Sequence, residues 1–78
     1  MKEEEISIDH RVHSRLIGQR GRNIRRIMEQ FKVDIRFPRQ EDTDPNRVII
    51  MGHDEDIQEA KDYLLNLEEE FVSFQEDI

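Results

Sequence analysis

Between Ile24 and Phe37 the spacing of the apolar side chains changes period. Ile24, Ile27, Met28 and Phe31 fall at i, i+3, i+4 and i+7, one continuous face of an amphipathic helix. Val33, Ile35 and Phe37 then alternate with Asp34 and Arg36, as in a strand with one buried face, and Pro38, which cannot donate to a ladder, closes it. A striped helix followed at once by a one-faced strand leaves two apolar surfaces that a second layer must cover. The chain is therefore predicted to be a two-layer α+β domain.

The flanking segments supply the remaining elements. Ile6 and Ile8 alternate with Ser7 and Asp9 as a short strand, and Asp9 can cap a helix in which Val12 and Leu16, like His13 and Ile17, lie four apart. That helix ends before Gly18. Arg39 to Asn46, with Asp44-Pro45, reads as a loop, and Arg47 to Met51 as a second β-rich run stopping at Gly52. Asp54 is placed as the N-cap of a last helix, with Glu55 and Asp56 in its first turn and a stripe of Ile57, Ala60, Leu64, Leu67, Phe71 and Phe74. Its length is about 20 residues, and from Glu68-Glu69-Glu70 onward it is expected to project beyond the core. The order is strand, helix, helix, strand, strand, helix: a three-stranded sheet with three helices on one face. Residues 1–78 form one domain with a core from about 4 to 70, and 71–78 are a helical extension or linker. Met1 to Glu5 reads as a solvated linker, which suggests a domain of a longer protein.

With 78 residues there is little room for an enclosed active site. The absence of cysteine excludes disulfides and thiolate zinc sites, and it fits a reducing, cytoplasmic or nuclear, location. His10, His13 and His53 form no recognised metal-ligand pair, so no metal or other cofactor is expected. The longest apolar run, Val48 to Met51, is far short of the roughly 20 residues that span a bilayer, and no signal-peptide pattern opens the chain. The carboxylates sit in solvated runs without the shared cleft that separates acid from base, which argues against an enzyme.

The formal charge of −7 conceals a segregation. Residues 11–39 carry nine cations, eight of them arginine, against Glu29 and Asp34, whereas residues 40–78 carry Arg47 and Lys61 against thirteen acids. Arginine's planar fork suits phosphate and stacks on bases, although a charged stretch also serves as an ordinary solvated face. The basic segment surrounds Gly18-Gln19-Arg20-Gly21. A glycine pair between helices builds a tight corner. It also suits an anion: Gly18 can take the left-handed conformation, and Gly21, without a side chain, lets a phosphate approach the positive end of the following helix. Arg15, Arg20, Arg22, Arg25 and Arg26 lie in or beside the corner. The loop lacks the Lys-Ser/Thr of a nucleotide-hydrolysing P-loop.

Leu16-Ile17-Gly18-Gln19-Arg20-Gly21-Arg22-Asn23-Ile24 resembles the signature of KH domains, two aliphatics, G-x-x-G and an aliphatic three residues on. The element order is similar to the type I form, β-α-α-β-β-α with an antiparallel sheet. Ile8 to His13, Phe31 to Pro38, Asp44-Pro45-Asn46 and Leu65 to Glu70 resemble one repeat of a tandem KH array, most of all its last. The resemblance implies a binder of single-stranded RNA, or single-stranded DNA, whose G-x-x-G loop clamps about four nucleotides. It implies a groove with Ser14, Arg15, Ile17, Gly18, Gln19, Arg20, Gly21, Arg22 and Ile24 on one wall. Ile35 and Phe37 would supply the apolar floor and the strand edge that reads bases, and Arg47 a basic contact. Ile17, Ile24, Ile35 and Phe37 serve equally as core. With few aromatics to stack on bases, one domain is expected to be a monomer that binds weakly and gains affinity beside neighbouring repeats. The alternative is a protein-interaction domain that docks through the acidic last helix.

Overall fold

The computed structural model describes residues 1–39 and 42–76, with side chains as far as residue 71. Its elements are β1 (Lys2–Ser7), α1 (His10–Ile17), a single 3-10 turn (Gln19–Gly21), α2 (Arg22–Phe31), β2 (Asp34–Arg36), β3 (Arg47–Gly52) and α3 (Asp54–Glu76). The sheet is antiparallel in the order β1-β3-β2, so β3 is central and β2 is an edge. Val48 and Ile50 of β3 are fully buried under Val12, Leu16, Ile27, Ile57, Ala60 and Leu64 of the three helices, which all cover one face. The layers are those expected from the change in apolar period.

Four boundaries differ from expectation. Met1 to Glu5 is not a linker: Lys2 to Ser7 pair along the whole of β3, from Lys2 opposite Gly52 to Ser7 opposite Arg47. Consecutive glutamates are poor strand formers, but a full ladder and alternate-face partners override propensity. Glu4 faces the helices and accepts from Lys61 Nζ at 2.7 Å and Gln58 Nε2 at 3.1 Å, while Glu5 on the outer face pairs with Arg47. Next, β2 is only three residues long, and Phe37 lies beyond its ladder. Asp54 is the first residue of α3 and not its cap, since the Ile57 N–H already donates to the His53 carbonyl at 2.8 Å.

Finally, α3 does not leave the core at Glu68. Glu68 Oε2 accepts the Asp9 N–H at 2.6 Å, and Phe71 packs on the core under the Arg15 guanidinium, 5.0 Å from its ring centre. The side chain of Phe74, expected on the same stripe, lies outside the described residues, as do Gln40 and Glu41 of the loop before β3. No helix among the described residues is long and apolar enough to cross a membrane.

Candidate nucleic-acid interface

Helix α1 is fixed at both ends. The Asp9 carboxylate accepts the Arg11 N–H at 3.0 Å, as an N-cap does, and pairs with the Arg11 guanidinium at 2.7 Å. These bonds, the side-chain one foremost, pull its pKa down to about 2. At the other end the Asn23 amide donates to the carbonyls of Leu16 at 3.0 Å and Arg15 at 3.2 Å, satisfying two acceptors that a helix end leaves open. Asn23 is thus a latch between α1 and α2, and nothing in the local sequence distinguishes it from a solvated polar residue.

The loop between the helices turns through three positive φ angles: Gly18 (φ 72, ψ −175), Arg20 (φ 58, ψ 26) and Gly21 (φ 75, ψ 14). Gly18 is in a region open only to glycine. A Cβ there would lie 2.7 Å from Asn23 Cβ, so the latch and the glycine require each other. No side chain caps α2, whose N-cap is Gly21, and its N-terminal end keeps its positive pole open. Arg20, Arg22, Arg25 and Arg26 are exposed, and among the described residues no carboxylate lies within ion-pair distance of them. Elsewhere Arg11, Arg36 and Arg47 pair with Asp9, Asp34 and Glu5. Among the described residues Lys32 and Arg39 also stand outside these ion pairs, but four of the unpaired cations gather at the glycine loop and the first turns of α2.

Ile35 is buried in the core, and Phe37, half-buried, approaches α1, where its ring meets the ring of His13 edge-on at 5.0 Å between centroids. Ser14, exposed, and Ile17, half-buried, follow His13 on α1, and Ile24 lies against Gly21 at the start of α2. Ser14, Ile17, Gly18 to Gly21, Arg22 and Ile24 thus lie along α1, the loop and the start of α2, with Ile35 in β2 and Phe37 just beyond it. Arg15 and Arg47 are placed otherwise. Arg15 turns toward α3 and covers Phe71. Arg47 lies on the sheet face away from the helices, its Nε shielded from water and 3.1 Å from Glu5 Oε1, an ion pair without the angles of a hydrogen bond. It borders a shallow cleft with Arg36, Phe37, Pro38 and Arg39.

His13, which sequence reasoning left as a helix residue, links α1 to the segment after β2 through Phe37. Buried at 8% exposure, it places Nε2 2.9 Å from the Ile8 carbonyl, so Nε2 carries the proton and donates. Burial pushes its pKa below the usual histidine value of 6.5, against the opposing pull of that carbonyl and of Asp9 and Glu68. A depressed value means that the unfolded chain takes up the proton first, so stability is full above pH 6.5 and declines as the pH falls below it. Urea unfolding at stepwise lower pH should show this decline, and His13→Phe, neutral throughout, should flatten it. An equal slope in both proteins would remove His13 as its source.

Residues 3–66 match the family described as KH domain. Human vigilin is 53% identical over 73 residues, which are 94% of this chain and 6% of vigilin. Vigilin 1 of Schizosaccharomyces pombe is 36% identical across 82% of the chain, again 6% of its own length. The chain thus spans a small part of the relatives it matches. The solution structure of the 14th KH type I domain of human vigilin, the last repeat, superposes with a TM-score of 0.88 at 53% identity, covering 92% of this chain and 76% of that one.

Proposed function

The chain belongs to the KH domain family, of type I, and from that premise we propose that it holds about four nucleotides of single-stranded RNA between the glycine loop and β2. The observation that carries this reading is the coincidence, at one corner, of an uncapped helix N-terminus, a loop with no side chain at Gly21, and four arginines without acidic partners. In this reading the backbone of Gly18 to Gly21 cradles phosphate, Arg20 and Arg22 neutralise it, and Ser14, Ile17 and Ile24 face bases whose edges meet the backbone at Ile35 and Phe37. Arg15 and Arg47 reach the strand only by releasing Phe71 and Glu5. Further repeats in a longer chain would raise a weak single-domain affinity. The alternative, protein docking through α3, relies on an apolar stripe that is occupied within the domain as far as Phe71.

Replacing Gln19 and Arg20 by aspartates sets two negative charges where phosphate is expected, on side chains that are exposed. RNA affinity should drop by more than about tenfold, or ~1.4 kcal/mol, while the amide spectrum stays that of a folded domain. Wild-type affinity in that double variant would overturn the groove.

A further inference from the structure

The Ile35 N–H does not point into the sheet. It donates to the Met28 thioether on α2, at 3.3 Å from Sδ. With β3 on one side of β2 and no strand on the other, this amide belongs to the free edge of the sheet, the edge along which the RNA reading places bases. Sulfur is a weak acceptor, poorer than the ring nitrogens and carbonyl oxygens of a nucleobase. The methionine side chain is also flexible. Beside Met28 an open cleft of about 600 Å³, bordered by Lys32, Asp34, Arg36 and Met51, gives the displaced thioether somewhere to go.

We propose that Met28 is a built-in competitor for the strand edge: its sulfur occupies the Ile35 amide in the free domain and yields it to an acceptor atom of the incoming base. The proposal rests on the RNA-binding reading and adds to it a residue that sets affinity from outside the glycine loop. A half-buried donor left without any acceptor is costly, so the sulfur keeps the unliganded edge satisfied. Each RNA bound must then break that bond, and the strength of the acceptor at position 28 tunes affinity.

The test is a pair of substitutions of similar volume. Met28→Leu removes the acceptor, and Met28→Gln supplies a stronger one. Anisotropy titrations with a random-sequence pool of single-stranded RNA hexamers should order the affinities Leu above Met above Gln, with steps of about two- to tenfold. In the wild type the Ile35 amide proton and the Met28 methyl should both shift on RNA addition. Amide spectra of both variants establish that they are folded. Equal affinities in the three proteins, or a weaker Leu variant, would overturn the proposal. If those results came while the Gln19→Asp, Arg20→Asp variant still lost binding, the groove would stand and Met28 would be a packing residue alone. If that double variant bound as the wild type does, the groove itself would fall.

Discussion

Gly18→Ala should be among the most damaging single changes in this domain, and Gly21→Asn one of the mildest at a glycine. The two glycines share a loop and a positive φ, but their surroundings differ. Gly18 combines φ 72 with ψ −175, a conformation that costs other residues about 1–3 kcal/mol. Its added Cβ would meet Asn23 Cβ at 2.7 Å, which real side chains do not tolerate. Moving Asn23 aside breaks two hydrogen bonds that close the end of α1, at about 1 kcal/mol each. Together these reach about 3 kcal/mol or more, which in a domain this size lowers Tm by on the order of 15 °C. Gly21 instead adopts an ordinary left-handed conformation facing open space, with Ile24 Cγ2 4.0 Å from an added Cβ. Asparagine visits that conformation readily, so Gly21→Asn should cost about 1 kcal/mol or less. Thermal melts of the two variants decide the matter, and a Gly18→Ala melt within a few degrees of wild type would contradict the reading of the loop.

Ile27→Ala should be as severe for a different reason. Ile27 is 2% exposed and lies under the sheet with Ile50, Ile57 and Leu64. Removing its three outer carbons leaves a cavity that close-packed neighbours cannot fill, at about 2–5 kcal/mol, close to the whole stability of so small a domain. Ile24, one turn earlier and 8% exposed, borders Gly21, where the surroundings can relax. Ile24→Ala should therefore cost less stability and proportionately more RNA affinity. Urea melts and RNA titrations on both variants test the pair. An unfolded Ile24→Ala beside a stable Ile27→Ala would mean that α2 presents a different face to the sheet.

The expectations for Ile24 and Ile27 stem from a helix register legible in the sequence, because Ile24, Ile27, Met28 and Phe31 repeat at a spacing that few alternatives share. Asp9 as a cap and the end of α1 before Gly18 were legible for the same reason: local chemistry decides them. The strand of glutamates was not. Glu3 to Glu5 carry no apolar alternation, and only the ladder with β3 and the partners Lys61 and Gln58 make a strand of them. The site divides along the same line. The glycine loop is written in adjacent residues and could be read from them. The orientation of Arg15 and Arg47 depends on Phe71, 56 positions on, and Glu5, 42 positions back, which a local pattern cannot supply. His13, Asn23 and Met28 were not singled out from the sequence, because each bonds backbone atoms 5 to 8 positions away that apolar periodicity does not mark: the Ile8 carbonyl, the Leu16 and Arg15 carbonyls, and the Ile35 amide.

The acidity of the chain bears differently on an approaching polyanion once α3 is in place. The helix rises about 1.5 Å per residue, so the carboxylates of its first turn, Asp54 to Asp56, stand about 20 Å back along its axis from Glu70, which borders the same cavity as Asn23. At physiological ionic strength a charge is screened over about 8 Å. A phosphate held at the glycine loop, as proposed above, would sense the neighbouring arginines and almost nothing of that far acidic end. The net charge of −7 thus governs solubility and long-range approach in dilute salt, while the local potential at the corner governs capture.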